Sequence, residues 1–341
     1  MQTYHVVTGA TGHLGSALVR LLLEAGHPVR ALVLPGDPAE QWLPQGVEKV
    51  YGNLLDAASL TPLLENGVRP PPVVYHCAGM ISTSGKPNPL LREVNVTGTG
   101  NMLAACKRFG VSRFIHVSSV HALPELPKGV VVRETSALNP DAVVGPYAKS
   151  KAEATLLVLR AAAAGLPACV VFPTGLCGPG DHAMGHTTRL LLAFAARRIP
   201  MGVRGGFDFV DARDVARGLM LCASRGSPGE AYLLGNRFIP ISELFSLFSR
   251  YLGGRPVRAM APMWLARMGL PLFSLLERHN PGAPLFTPYA LHTLSGEIRY
   301  SHEKAETILG YATRPFADTI ADTVDWLRHT GHLAFPHPAD G

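Results

Sequence analysis

The residue types and spacing with the most chemical potential lie in Tyr147-Ala-Lys-Ser-Lys151. The i, i+4 interval places Tyr147 and Lys151 on one helix face. A cation beside a phenol favours the phenolate and lowers its pKa, which makes Tyr147 an acid/base usable near neutrality. An isolated pair of this kind is more often solvated helix surface, but this one follows Ser118-Ser119 at the end of an apolar run. Close to the start of the chain, Thr8-Gly9-Ala10-Thr11-Gly12-His13-Leu14-Gly15 follows another such run. In that pattern Gly9 makes the tight turn, Gly12 lets the backbone approach a pyrophosphate, and Gly15 lets a helix pack close to its strand. The free N–H groups of the helix start would then face the phosphates. A glycine pattern alone also describes a plain strand–helix turn, so the downstream motif is what gives it weight.

These motifs need elements to position them. His5-Val6-Val7 reads as a strand and Leu14 to Glu24 as a helix with Leu18, Leu21 and Leu22 on one face. Further strands are expected at 29–33, 47–51, 73–76, 114–117 and 168–172, and further helices at 95–109 and 147–164. This cadence predicts an α/β Rossmann fold, a doubly wound parallel sheet with helices on both faces. After Pro173 the pattern loosens, with more Pro, Gly and Met. Phe207 to Val210 and Tyr232 to Leu234 still read as strands that would return to the first sheet. We therefore expect a dinucleotide-binding domain over 1–175 with 203–236 returning to it. A smaller, mostly helical substrate lobe would be built from 176–202 and 237–341.

The chain has 341 residues, of which 47% are hydrophobic and only 16% charged. This excludes intrinsic disorder and leaves apolar surface for a greasy substrate or a subunit interface. Net charge is +6, but the basic residues are scattered, without the aromatic-laced stripe of a nucleic-acid binder. Five cysteines without CxxC spacing point to reduced thiols and a cytoplasmic protein. The first residues lack a cationic segment, so no signal peptide is expected. The uncharged run 161–180 is long enough to mimic a membrane span, but Gly165, Pro167, Pro173 and Gly175 break it into a helix end and a buried strand, so no integral membrane segment is expected.

With these pieces assembled, the chain resembles the extended short-chain dehydrogenase/reductase superfamily over nearly its whole length. The resemblance rests on Thr8 to Gly15, His76-Cys77-Ala78-Gly79, Val94 to Thr99 and Ser118-Ser119. It extends through Tyr147 to Lys151, Pro173-Thr174-Gly175, Gly178 to Asp181 and Val210 to Val215. It implies Tyr147 as general acid/base, Lys151 as the residue that holds the nicotinamide ribose and lowers the Tyr pKa, and Ser119 as hydrogen-bond partner of the reacting oxygen. Asn95 would anchor a water-linked proton path or, equally, organise the helix–sheet contact. Thr8, Gly9, Thr11, Gly12, His13, Leu14 and Gly15 would meet an NAD(P)(H) cofactor, together with Cys77, Ala78, Gly79, Phe172, Pro173 and Thr174. Asp211 and Asp214 read as structural, capping a helix that begins near Asp214. A homodimer through helices 89–109 and 147–164 would fit the superfamily.

Local residues narrow the reaction. Sugar-nucleotide dehydratases carry Asp and Glu after the catalytic Ser/Thr, whereas Ser119 is followed by Val120-His121. Epimerases usually place an Asn just past the strand at 168–172; this chain has Pro173-Thr174, more like dihydroflavonol reductases and their bacterial relatives. Met80, His121, Leu176, Met184 and Phe207 are the expected substrate contacts, and the run 260–276 reads foremost as a core helix pair. The expected activity is hydride transfer between nicotinamide and the carbonyl or secondary alcohol of a small or moderately lipophilic substrate. A nucleotide-sugar epimerase with tightly held NAD and a non-catalytic NAD(P) sensor stand as alternatives.

NAD versus NADP stays open. Leu34 stands where the dihydroflavonol-reductase pattern has Arg, Asp37 beside Pro35-Gly36 reads as a turn residue as readily as a ribose ligand, and Asn53-Leu54 replaces Asp-Leu near the adenine. His182 and His186 have the spacing of a helical metal pair, but the surrounding glycines argue for a loop and no metal is expected.

Overall fold

A computed structural model describes residues 3–65, 70–82, 88–127, 129–135, 137–253, 257, 259–277 and 287–334, with side chains of the 259–277 stretch described to residue 270. The expected core helix pair at 260–276 is corrected: this run is the short strand 260–261 followed by one helix, 263–277, with Trp264 and Met268 exposed, because an apolar run reports neither a break nor which face is covered. The last residues of the expected substrate lobe lie outside the described residues. The first strands in chain order are β1 (His5–Thr8), β2 (Val29–Val33), β3 (Glu48–Tyr51), β4 (Val73–His76), β5 (Arg113–Val117), β6 (Val131–Val132) and β7 (Ala168–Pro173). They are followed by β8 (Gly175–Cys177), β9 (Gly202–Val203), β10 (Gly206–Asp211), β11 (Ala231–Leu234), β12 (Arg237–Pro240), β13 (Met260–Ala261) and β14 (Arg299–Tyr300).

The helices of the first half are α1 (His13–Glu24), α2 (Thr61–Leu64), α3 (Pro89–Arg92), α4 (Gly98–Phe109) and α5 (Pro146–Ala163). Those of the second are α6 (His186–Ala195), α7 (Ala212–Arg225), α8 (Ile241–Leu252), α9 (Met263–Glu277), α10 (Pro288–Ser295) and α11 (Phe316–His329).

Seven strands form one parallel sheet in the order β11-β7-β5-β4-β1-β2-β3. The order reverses between β1 and β4, and in a doubly wound sheet that switch point is where a dinucleotide lies. Strand alternation divides the core in two. Val6, Val74, Phe114 and Val170 enter one apolar layer, and Val7, Tyr75, Ile115 and Val171 enter the other. Because both faces are covered, the strands read as continuous apolar runs. The run 161–180 divides as its breakers require, into the end of α5 and the buried strand β7.

The expectation for the two late strands is half corrected. Tyr232–Leu234 joins the main sheet beside β7, but Phe207–Val210 does not return to it. It lies in a second sheet, β12-β10-β8, parallel to β8 and antiparallel to β12. An apolar alternation cannot report which sheet receives a strand, because either would bury it. The helix expected to begin near Asp214 is present, with the capping role on Asp211. It starts at Ala212, and Asp211 is its cap, accepting from the Arg213 N–H at 2.8 Å. Asp214 lies in the first turn and accepts from the backbone N–H of Arg314 at 2.9 Å, tying α7 to the loop before α11.

Candidate active site

The phosphate-binding turn follows β1. Gly9 takes φ +68°, and a Cβ there would come within 2.6 Å of the Ala78 nitrogen. A Cβ on Gly15 would lie 2.0 Å from the Gly9 carbonyl oxygen, so α1 packs onto the turn as closely as backbone allows. A Cβ on Gly12 would meet only the Gly9 carbonyl oxygen, at 3.3 Å, and otherwise occupy open cleft. That is a cradle which glycine keeps clear for a ligand. Gly12 caps α1 without a side chain and the first turn carries no carboxylate, so its N–H groups are left for an anion. A dinucleotide pyrophosphate fits this geometry.

Ser119 caps a short turn at the end of β5, with its hydroxyl accepting from the His121 N–H at 3.3 Å. The same hydroxyl hydrogen-bonds the Tyr147 phenol, which is buried at the start of α5. Lys151, one turn on, is also buried and donates from Nζ to the Val117 carbonyl at 2.9 Å. Ser118 faces the other way, its hydroxyl 2.6 Å from that of Thr155. Ser119, Tyr147 and Lys151 therefore converge at the C-terminal end of β5, and all three line one cavity.

The electrostatics differ from the expectation for the Tyr–Lys pair. Burial raises the Tyr147 phenol to about 12, with only the Ser119 hydrogen bond pulling it down. Burial also brings the Lys151 ammonium down to about 8, while Cys77 raises it. Lys151 is drawn to the Val117 carbonyl, so desolvation decides the phenol's proton affinity.

Asn95 sits in a π-helical turn (Glu93–Thr97) ahead of α4. Its Oδ1 accepts from the Met80 N–H at 2.8 Å, and its Nδ2 donates to the Met80 carbonyl at 3.0 Å and to the Ser150 hydroxyl at 2.9 Å. Both amide donors are committed, so the proton-path expectation gives way to positioning. Asn95 holds the loop after β4 and the Tyr147 helix in register. π-bulges recur at such places.

Of the expected cofactor residues, Gly9, Gly12, His13, Leu14, Gly15, Cys77, Gly79, Pro173 and Thr174 line the cavity. Others are corrected. Phe172 is fully buried in the core, because its neighbours on β7 alternate faces. Thr8 is fully buried as well, with its hydroxyl 2.8 Å from His76 Nδ1 and accepting from the Ala78 N–H at 3.3 Å, so it shapes the loop after β4. Leu54 is buried against the start of α4, where a Cβ on Gly98 would come within 2.9 Å of its own Cβ. Asn53 Oδ1 accepts from the Leu55 N–H, and Asp37 Oδ1 from the Ala39 N–H, both at 2.9 Å. Thr11, Leu34 and Ala78 stand outside the described cavity lining.

The cavity encloses about 550 Å³ and runs from the glycine turn past Tyr147 into the C-terminal half. Of the expected substrate residues His121, Leu176 and Phe207 line it. Met80 does not, being held by Asn95 while Ile81 takes the wall, and Met184 packs against the core. Sequence reasoning missed the far wall: Phe209, Ile241, Phe245, Leu291 and Leu294. It also missed Tyr289, whose hydroxyl is 3.0 Å from His121 Nδ1. The only local signal was Thr287-Pro288, a cap followed by an N1 proline, which marks the helix but not its destination. His182 has become half of a ring stack with Trp42 (centroids 4.2 Å apart), and Trp326 meets it edge-on. His13 Nε2 lies 3.2 Å from the Pro179 carbonyl, beside that stack. Burial pushes the Cys177 thiol up, which makes it unreactive.

Comparison with known proteins agrees with this geometry. The profile of the NAD dependent epimerase/dehydratase family matches residues 5–235. The chain is 32% identical over 330 residues to sterol demethylase protein B of Methylococcus capsulatus, covering 96% of this chain and 99% of that protein. It is 30% identical to 4-hydroxy-2-methyl-3-oxo-4-farnesyl-3,4-dihydroquinoline-1-oxide ketoreductase of Stigmatella aurantiaca, covering 99% and 100%. Among solved structures it is similar to gox2253, with a TM-score of 0.83 and 34% identity, covering 97% of this chain and 100% of that one.

Proposed function

Because the chain belongs to the NAD-dependent epimerase/dehydratase family, with a nicotinamide dinucleotide as cofactor, we propose that it is an NAD(P)(H)-dependent carbonyl reductase or alcohol dehydrogenase of a moderately lipophilic substrate. One observation carries this reading: the Ser119–Tyr147 pair opens onto a cavity whose far wall is apolar. Among the described residues no arginine lines that cavity. A nucleotide-sugar diphosphate would call for charged donors there. The names of the relatives, a sterol demethylase protein and a ketoreductase of a farnesylated quinoline, agree with a bulky, greasy ketone or alcohol.

The first turn of α1 and the clear face of Gly12 would hold the pyrophosphate, while Gly79, Pro173 and Lys151 would border the nicotinamide half. Such a cofactor would supply the chemistry of hydride transfer. Ser119 donates a hydrogen bond to the substrate oxygen and fixes the carbonyl at Tyr147. Buried and proton-bound, Tyr147 delivers its phenolic proton to that oxygen during reduction and takes it back in oxidation. The Ser119 hydrogen bond, which lowers the phenol's proton affinity, stabilises the phenolate left behind, while Lys151, held on the Val117 carbonyl, would meet the nicotinamide ribose. Phe207, Phe245 and Leu294 exclude water from the reacting end.

The test is steady-state oxidation of NADPH and NADH with a panel of lipophilic ketones, using Tyr147→Phe as control. Turnover that depends on the ketone and is lost in the variant supports the reading, and absence of turnover with every ketone and both cofactors overturns it.

We also propose a homodimer through α3, α4 and α5. These helices pack side by side, with an Arg92–Glu153 ion pair of 2.7 Å, and carry small outer residues such as exposed Ala104 and half-exposed Ala161 and Ala162. A monomeric mass in light scattering contradicts it.

A further inference from the structure

One turn of α9 exposes three large apolar side chains: Trp264 at 63%, Leu265 at 41% and Met268 at 72%. Among the described residues no other helical turn exposes three. A core helix hides such side chains, so this face needs a partner. The helix is continuous with the cavity wall. It follows β13, which pairs with β9, and β9 contributes Gly202 and Val203 to the lining, next to Met201, itself 43% exposed.

Charge names the partner. The stretches 182–207 and 244–276 together carry eight arginines and no Asp or Glu, more positive charge than the net +6 of the whole chain. The β9–β13 pairing joins the described parts of these stretches at Gly202–Val203 and Met260–Ala261. Arg197, Arg198, Arg204 and Arg267 are exposed, and no described acidic side chain forms an ion pair with them. Exposed Trp and Met, with Arg267 on the same helix and Arg204 tied through its N–H to the Ala261 carbonyl just before it, suit an anionic lipid surface, where the rings sit among headgroups and the guanidinium groups meet phosphates. A second copy fits poorly, because a two-fold interface over this patch would set arginines against arginines.

We propose that the face built by α9, β13 and the segment before β9 docks the protein on an anionic phospholipid bilayer, with the apolar cavity beside the contact. The docking stands on the patch and its charge, independently of the reaction assigned to the cavity.

The test is co-sedimentation of the full chain with vesicles of phosphatidylcholine alone or mixed equally with phosphatidylglycerol, over a salt series. Trp264→Ser combined with Met268→Ser is the variant, and unchanged NADPH binding shows that it folds. The expected result is partition onto the anionic vesicles only, weakening as salt rises, with the double variant binding at least about tenfold less. Equal partition onto neutral vesicles, no partition at all, or an unchanged double variant overturns the proposal. So does a wild-type dimer that the double variant turns into monomer, which assigns the face to a second copy. None of these readouts involves turnover, so failure here is distinct from failure of the reductase reading.

Discussion

The Tyr289 hydroxyl lies 3.0 Å from Nδ1 of His121, joining the start of α10 to the turn after β5 across the substrate end of the cavity. His121 also stacks on Phe207 at 5.5 Å and meets the Tyr147 ring edge-on at 6.0 Å. Tyr289 packs over Gly145, where a Cβ would come within 2.9 Å of its ring. Behind the pair lies a second cavity of about 300 Å³ that shares His121, Phe207 and Tyr289 with the first. The pair is a partition between the two spaces.

Removing the partition should change selectivity more than chemistry. Tyr289→Ala joins the chambers, so the expected outcome is a lower KM for ketones with an extra ring or longer chain, with kcat for small ketones within about threefold of wild type. The check is kcat and KM across a size series. A uniform loss of kcat for all sizes would place Tyr289 in the reaction itself.

Glycines 12 and 15 should fail in different ways. Gly15→Ala forces a Cβ onto the Gly9 carbonyl and is expected to cost about 1–3 kcal/mol of stability without any ligand present. Gly12→Ala points into the clear cleft, so it leaves the free protein's Tm nearly unchanged and weakens NAD(P)H binding by about tenfold or more. Denaturation curves and cofactor titrations separate the two.

Much of this site was legible locally. The glycine turn and the Tyr147–Lys151 interval are short-range patterns, and a helix or tight turn converts such spacing directly into geometry. His121–Tyr289 and Trp42–His182 were not, because each joins segments more than a hundred residues apart through loops without a period. The destination of β10 was hidden for the same reason: alternation at Phe207–Val210 reports burial but not the neighbour. The Tyr147 proton affinity failed differently, since spacing reports the nearby cation and not the desolvation that outweighs it.

The Trp42–His182 stack and the His13–Pro179 contact join the loop after β2 and the start of α1 to the segment after β8. His182→Ala should release that strap. The expected outcome is faster NADPH dissociation, by about three- to tenfold, with the rate of the chemical step unchanged. Stopped-flow displacement measures the first and single turnover the second.

Acid should destabilise the fold well above the carboxylate range. Burial lowers His76 to about 3 and His5 and His121 to about 4, and holds His116 well below its ordinary value. Between pH 6.5 and these values the unfolded chain binds protons the native chain refuses, so stability falls as pH drops through that window. Asp208, raised to about 6 by burial, opposes this with one proton taken up by the native state. Four histidines refusing a proton against one taken up by Asp208 leave a net of about three protons, which corresponds to roughly 4 kcal/mol per pH unit near pH 5. Urea midpoints at pH 7 and pH 5 check it.

The central claim is that the protein exchanges its cofactor and reduces a separate carbonyl substrate with Tyr147. The most direct test is to denature freshly purified protein after dialysis, then identify and count the nucleotide released. The account predicts a substoichiometric nucleotide content and free exchange of added NADPH or NADH. Stoichiometric NAD that survives dialysis would contradict it, because that belongs to an epimerase that oxidises and re-reduces one held substrate.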